Sequence, residues 1–433
     1  MVAGRQAATE LLHDYLTIVR TLNRDVLLYL VSGALVGFAS SSGIYNLLLN
    51  IYLLRLGHDV GLIGLVNATG AGVYALLCIP AGIMGRLWGV RTMIIVGLIF
   101  IAVGNVMLPF AEFVEAGWQT WWILLARMPR AFGFALTIVN AGPFLIGITT
   151  RFERTHVFSV QAAIWPLAGF GGNLVGGILP ELFASLMGVT LDSPAPYRYP
   201  LFLAALLIVP AILAVSSTRP STRQFEDNDM DCETPFPKEA VAMVAIAGFC
   251  AASTIAVQQT FFNVYMDDFL GESTPVIGAC AAIAMLVSGI AALTTPFIVA
   301  SMGQRGTIVI STLLACAALL PVIFFTNWIA AGCTYILIQS LASVRFPTMT
   351  IFHQEIVPSR WRSTMSAVSS MAIGGCFMLT GTVGGQVISN YSYPTLFTFT
   401  ALVSIAGAVI FGCYFNPNRT LHLKTQADEA ESQ

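Results

Sequence analysis

The sequence contains very little charge. Only 10% of its 433 residues are Asp, Glu, Lys or Arg, whereas 56% are hydrophobic. Soluble globular proteins carry about 25% charged residues. A chain with so few charges cannot cover a large water-facing surface, which excludes an ordinary soluble protein. The composition therefore predicts a protein that lies in lipid.

Patterns typical of catalysis or metal binding are also missing. The eight cysteines form no C-x-x-C pair and no zinc spacing, so the sequence indicates neither a disulfide framework nor a metal site. No G-x-S-x-G, H-E-x-x-H or phosphate-binding loop occurs, and the five histidines are scattered along the chain. We therefore expect a protein that is not an enzyme, binds no cofactor or metal, and has no nucleic-acid partner.

What the sequence does have is long apolar runs. A helix needs roughly 20 apolar residues to cross a bilayer. Twelve such runs occur, and they leave no room for a separate soluble domain. We predict an all-α integral membrane protein with transmembrane helices near residues 27–53, 60–83, 93–111, 120–148, 158–182, 199–216, 240–266, 274–300, 307–325, 328–352, 364–388 and 393–415.

A weak internal repeat divides the chain into two halves. Asn50 matches Asn263 at an offset of 213 (263 − 50), and Arg154 matches Arg362 at an offset of 208 (362 − 154). Insertions and deletions in loops produce such a slow drift. The repeat predicts two pseudo-symmetric six-helix bundles. The expected segments are an amphipathic surface helix (1–25), the first bundle (26–216), a polar linker (217–238), the second bundle (239–416) and a polar tail (417–433).

The distribution of basic residues predicts an orientation. If the N-terminus is cytoplasmic, 15 of the 20 Lys and Arg residues fall on cytoplasmic segments. Loops on the cytoplasmic side of membrane proteins are enriched in these residues. We therefore expect both termini and the 217–238 linker to be cytoplasmic, with segments 112–119 and 183–198 outside. No cleavable signal is evident, so we expect a multi-pass protein of the cell membrane.

A short polar stretch, GIMGRLWGVR, joins the second and third apolar runs. It resembles the helix 2–3 loop of the major facilitator superfamily, G-x-L-x-D-R-x-G-R-R, although an arginine stands in place of the family's aspartate. The glycine and arginine near its end recur 214 residues later (303 − 89). The resemblance implies twelve helices, transport by alternating access, and a gating role for Gly82, Arg86, Gly89, Arg91, Gly303 and Arg305.

Two further stretches resemble antiporter-type members of this superfamily. The run GNLVGG is similar to the helix 5 motif G-P-x-x-G-G, with Asn173 in place of the proline. The run LLARMPRAFG resembles the helix 4 motif R-x-x-q-G, in which Arg127 takes the place of the arginine. Both resemblances favour export. Close helix packing through the glycines is an equally good explanation of the first motif.

Side-chain amides recur on the first and seventh helices. Asn46 and Asn50 are four residues apart and share a helix face, as do Gln259 and Asn263. In the superfamily, helices 1, 4, 7 and 10 line the central path, so the resemblance places all four amides on the substrate route. The alternative is that the amides hold helices together by hydrogen bonds.

Three arginines lie within predicted spans: Arg127 and Arg130 on the fourth helix and Arg345 on the tenth. No carboxylate lies in the middle of any span. Arginine stays protonated and cannot carry a proton through a transport cycle, so this imbalance favours an anionic or amphipathic substrate. The alternative is that the long side chains of Arg127 and Arg345 reach the nearest interface.

The sequence thus predicts a secondary transporter of a small organic solute, with export as the leading direction. Uptake of an organic anion by symport or exchange is a second reading. A membrane sensor or lipid-handling protein that does not transport is a third. The expected partners are a small-molecule substrate, protons or a counter-anion, and membrane lipid, and we expect a monomer.

Overall fold

The structure is a computed structural model that describes residues 23–149, 154–219, 238–357 and 361–416. Most of the predicted amphipathic segment (1–25), most of the linker (217–238) and the tail (417–433) lie outside these residues. The described part contains helices and no strand. Its spans are α1 (Arg24–Arg55), α2 (Val60–Trp88), α3 (Val90–Phe113), α4 (Ala116–Ile148), α5 (Arg154–Met187), α6 (Ala195–Ser216), α7 (Lys238–Phe269), α8 and α9 (together Thr274–Phe324), α10 (Trp328–Glu355), α11 (Arg362–Asn390) and α12 (Tyr393–Tyr414).

Within the described residues, eleven helices are long and apolar enough to cross a membrane. The longest, Thr274–Phe324, contains two spans, because Gly303 interrupts it with a non-helical φ of 70° and ψ of 164°. Residues 274–302 form α8 and residues 304–324 form α9. The predicted all-helical membrane fold with twelve spans is confirmed.

The two halves contact each other mainly along two pairs of helices. The longest contacts between them run along α2 with α11 and along α5 with α8. Glycines bring these backbones together: a Cβ atom on Gly64 would lie 2.1 Å from the Gly381 carbonyl oxygen, and one on Gly278 would lie 2.8 Å from the Gly177 Cα. Any larger residue would separate the helices. Gly177 of the GNLVGG stretch and Gly381 of α11 therefore pack at the junction between the halves, whereas Gly172 and Gly176 pack on α1 of their own half.

Helix α1 is broken near its middle. A π-helical turn, Gly37–Ser41, ends the first part, and a new helix, Ile44–Arg55, begins after Gly43. A Cβ atom on Gly43 would lie 1.9 Å from the Phe38 carbonyl oxygen, so only glycine fits. Asn173 of α5 donates its side-chain Nδ2 to the Ser42 carbonyl over 2.8 Å. The residue that replaces the family's proline thus satisfies a backbone group that the break exposes.

The two repeated turns have the same local design. Gly89 and Gly303 have positive φ angles of 88° and 70°, which favour glycine. Two residues later, Arg91 donates to the Ser216 carbonyl at the end of α6, and Arg305 donates to the Gly412 carbonyl near the end of α12 over 2.6 Å. A cation is favourable at a helix C-terminus. Each arginine therefore joins two helices of its own half, and the gating role stays a prediction.

Candidate functional site

A cavity of about 270 Å³ lies between the two halves. Residues from α1, α2 and α4 of the first half and from α7 and α11 of the second half line it. They are Asn46, Asn67, Gly70, Ala71, Tyr74, Arg127, Arg130, Ala131, Phe134, Gln259, Thr260, Ile373, Gly374 and Phe377. Gln259 is exposed, although it lies within a membrane span. The Gln259 side chain therefore faces open space in the cavity.

Arg127 forms part of the cationic wall of this cavity. Its Nε donates to the Val66 carbonyl of α2 at 3.4 Å. Among the described residues, its two terminal nitrogens have no hydrogen-bond partner, so both are available to a ligand. The guanidinium lies over Gly70, where a Cβ atom would come within 2.8 Å of Nη2. The glycine thus leaves the space that Arg127 occupies.

Arg130 is held much more firmly. Its Nε donates to the Asn105 Oδ1 at 3.2 Å, and its Nη2 donates to the carbonyl and hydroxyl oxygens of Ser40, both at 3.3 Å. Its guanidinium also lies 4.4 Å from the centre of the Tyr45 ring. The break in α1 presents the Ser40 carbonyl to this arginine. Within the described parts of the chain, Nη1 is the one guanidinium nitrogen of Arg130 without a partner, so Arg130 supplies a fixed positive charge.

The rest of the wall is neutral. Asn46, Asn67 and Gln259 supply amides, and none of the lining residues is acidic. Tyr74 and Phe134 form an aromatic patch, with ring centres 5.7 Å apart, and Phe377 lines the cavity from the other half. The cavity therefore has a cationic region contributed by the first half and an apolar region to which both halves contribute.

The structure brings four of the predicted site residues together: Asn46, Arg127, Arg130 and Gln259. Asn67 and the aromatic side chains of the cavity were not predicted from the sequence. Asn67 had a detectable signal, because it is an amide in an otherwise apolar stretch and such residues are costly in lipid. The aromatic residues had none, since rings are common throughout membrane helices.

Asn50 and Asn263 do not line the cavity, which corrects the expectation for these two amides. Both are buried where α1 touches α7. Asn50 donates to the Thr260 carbonyl at 2.8 Å, and Asn263 donates to the Leu47 carbonyl at 3.2 Å. The same offset of 213 relates the two donors (263 − 50) and the two acceptors (260 − 47). The bonds are therefore reciprocal about the pseudo-two-fold axis and join the halves.

An ion pair lies further along the same two helices. Arg55 at the end of α1 donates to both carboxylate oxygens of Asp267 in α7, at 2.8 and 2.7 Å. Its Nε also donates to the Leu191 carbonyl at 2.9 Å. We call Arg55, Asp267, Asn50 and Asn263 the α1–α7 latch. This latch closes one end of the space between the halves.

Arg345 also lies away from the cavity. Its side chain is 1% exposed, and none of the described lining residues belongs to α10. Within the part of the chain that the structure describes, its two terminal nitrogens have no hydrogen-bond partner. The expected contribution of Arg345 to the cavity is therefore corrected for this conformation. Of the remaining predicted gating residues, Arg86 is exposed at the end of α2, and Gly82 faces Val139 of α4.

Two six-span bundles with a polar cavity between them are typical of membrane transporters. The sequence profile of the Major Facilitator Superfamily matches residues 30–237 and 244–432. The chain belongs to this superfamily, and it is a multi-pass membrane transporter, not an enzyme. A search of curated protein sequences gives no match.

Several solved structures share the fold. The nucleoside transporter NupG has a TM-score of 0.70 and 16% identity, over 91% of this chain and 100% of that one. A D-xylose-proton symporter has a TM-score of 0.73 and 13% identity, over 90% and 97%. The inward open conformation of the xylose transporter XylE from E. coli has a TM-score of 0.71 and 12% identity, over 90% and 96%. At these identities the likeness shows the fold alone.

Proposed function

We propose that this protein moves a small organic anion across the membrane by alternating access. The observation that carries the proposal is the presence of Arg127 and Arg130 on the cavity wall, without an acidic residue among the lining residues. Arginine cannot lose its proton at accessible pH. Uncompensated charge within a membrane protein is costly, and an anionic substrate would offset it at each turnover.

The apolar region of the cavity supports an amphipathic substrate. Tyr74, Phe134 and Phe377 offer aromatic surface beside the two arginines. A carboxylate or phosphate suits the planar donors of a guanidinium, which binds such groups at two points. An apolar or aromatic body attached to the charged group would then lie against the rings. The volume of about 270 Å³ suits a compact molecule.

Export remains the proposed direction. We propose that both termini are cytoplasmic, as the count of basic residues favours. The α1–α7 latch would then close the outer side, and the cavity would accept substrate from the cytoplasm. A counter-anion suits this cavity better than a proton as the coupling partner, because no carboxylate is available there to bind a proton. We propose a monomer in contact with membrane lipid, located in the cell membrane.

Counterflow in proteoliposomes tests the proposed function. Purified protein should exchange labelled organic anions, such as aromatic carboxylates, and should not exchange neutral sugars or nucleosides. Arg127→Gln should lose most of this exchange. The matched control is Arg198→Gln, which removes an arginine that pairs with Glu112 at 3.0 Å and does not line the cavity. Exchange of neutral solutes by the wild type, or equal activity in the Arg127 variant, would contradict the proposal.

Uptake of one anion in exchange for another is a second candidate. The same arginines would bind an anion whether the carrier moves it inward or outward. The sign of net flux in right-side-out vesicles separates uptake from export. A sensor that does not transport would show no counterflow in either orientation.

A further inference from the structure

Asn67 lies where the cavity meets the α1–α7 latch. From the cavity wall, its Nδ2 donates to the Asn50 Oδ1 at 2.9 Å and to the Ile63 carbonyl at 3.0 Å. Asn50 in turn donates to the Thr260 carbonyl of α7 at 2.8 Å. A chain of hydrogen bonds therefore runs from the cavity through α2 and α1 to the opposite half.

The orientation of both amides follows from their carbonyl partners. A backbone carbonyl can only accept, so the atom of Asn67 that faces Ile63 is the nitrogen. Its oxygen is left without a partner among the described residues, and it is not enclosed. By the same argument, the nitrogen of Asn50 faces Thr260 and its oxygen faces Asn67. If Asn67 turned away, the Asn50 oxygen would be buried without a donor, which is unfavourable.

The other half lacks this link. Asn263 makes the reciprocal bond to the Leu47 carbonyl, but its side-chain oxygen is buried without a partner in the described structure. The position related to Asn67 by the offset of 214 that relates Gly89 to Gly303 (281 − 67) is Ala281, whose side chain has no hydrogen-bond donor. An amide at this position is therefore not needed for the reciprocal bond itself. Asn67 adds a connection between only one of the two bonds and the cavity.

Arg127 contacts the same segment of α2. Its Nε donates to the carbonyl of Val66, the residue before Asn67, and its guanidinium lies over Gly70. An anion bound by Arg127 would thus lie close to the free oxygen of Asn67. This oxygen would accept a hydrogen bond from a hydroxyl or N–H group beside the charged group of the substrate.

We propose that Asn67 is a positioning residue that couples substrate occupancy to the α1–α7 latch. The inference rests on the proposed function for its ligand, an organic anion with a hydroxyl or N–H donor next to the charge. When this donor binds the Asn67 oxygen, the amide rotates away from Asn50. Asn50 then loses its fixed orientation, its bond to the Thr260 carbonyl weakens, and the latch opens.

A measurement without ligand tests the link from Asn67 to the latch. Spin labels at Thr190, in the first half, and at Ser273, in the second, report the distance between the halves on the latch side, in a background whose native cysteines are replaced. Both positions are exposed. Asn67→Ala and Asn67→Leu should each increase the population with the latch open by about fivefold, the value of one ordinary hydrogen bond.

Two comparisons exclude a general loss of stability. Asn46→Ala removes another amide from the cavity wall, one with no hydrogen bond to the latch among the described residues, and it should leave the distance distribution unchanged. In an Asn50→Ala background, Asn67→Ala should have no additional effect, because Asn67 acts through Asn50. Equal effects of Asn46→Ala and Asn67→Ala, or additive effects of the Asn50 and Asn67 variants, would overturn the proposal.

A pair of matched anions tests the link from the substrate. Bound 2-hydroxy-3-phenylpropanoate should shift the wild-type distances toward the open latch, whereas 3-phenylpropanoate, which lacks the hydroxyl, should bind without the shift. The shift should disappear in Asn67→Leu. Equal shifts with both anions would refute the role of the donor. If neither anion binds, the proposed function fails for this class of substrate, while the ligand-free measurement still decides whether Asn67 controls the latch.

Discussion

The ion pair between Arg55 and Asp267 joins the two halves, and Asp267→Asn tests its contribution to the closed state. The substitution keeps the size of the side chain but removes its charge. Asparagine offers one acceptor oxygen, whereas the aspartate accepts from both terminal nitrogens of Arg55. The Leu191 carbonyl continues to hold Arg55 through its Nε. The change therefore weakens the contact between the halves without releasing the arginine from its own half.

The expected size of the effect follows from the exposure of the two partners. The Asp267 side chain is 3% exposed and that of Arg55 is 22% exposed. Removing one partner of a fully buried pair costs about 3–5 kcal/mol, whereas a surface pair contributes at most about 1 kcal/mol. For this half-shielded pair we expect about 2 kcal/mol. Because about 1.4 kcal/mol corresponds to a tenfold change in an equilibrium constant, the closed-to-open ratio should fall about 30-fold.

The distance between labels at Thr190 and Ser273 measures this ratio directly. The matched control is Glu112→Gln, which breaks an ion pair with Arg198 at 3.0 Å. Both of these residues belong to the first half, so their pair does not hold the halves together. Asp267→Asn should populate the open latch, and Glu112→Gln should not. If Asp267→Asn leaves the distances unchanged, the pair does not stabilise the closed state and the reasoning is wrong.

Three other predictions concern the cavity and the orientation. Arg130→Lys keeps the charge but loses the planar donors, so the substrate affinity measured in counterflow should fall about tenfold. Arg130→Gln also removes the charge and should lower the affinity more than about 100-fold. Equal affinities in both variants would show that the charge is structural. Gly70→Ala places a methyl group within 2.8 Å of the Arg127 Nη2. Displacement of the Arg127 guanidinium by this methyl group should weaken substrate binding about tenfold, or about 1.4 kcal/mol. The control Gly375→Ala, at an open position, should leave binding unchanged. A single cysteine at position 228 should react with an impermeant reagent only in permeabilised cells and one at Thr190 in intact cells; labelling of position 228 in intact cells would reverse the topology.

The sequence alone determined the class of protein and the pattern of its spans. A membrane span must satisfy its backbone hydrogen bonds internally and present about 20 apolar residues to lipid. Both requirements act within one helix, so they leave a local signal. The repeated turns are local as well, since a glycine with positive φ ends one span at Gly89 and again at Gly303. The arginine two residues after each glycine was recognisable for the same reason, although its role was not.

The tertiary structure decided which polar residue faces the cavity and which joins the halves. Asn46 and Asn50 share a face of α1, but Asn46 lines the cavity and Asn50 contacts α7. Arg55 and Asp267 pair across 212 residues (267 − 55), a distance over which no sequence periodicity operates. Arg345 and Arg127 both precede a proline by two residues, yet one is enclosed and the other lines the cavity. The packing of the two bundles against each other sets these differences. The sequence of a single helix does not show which helix packs against it.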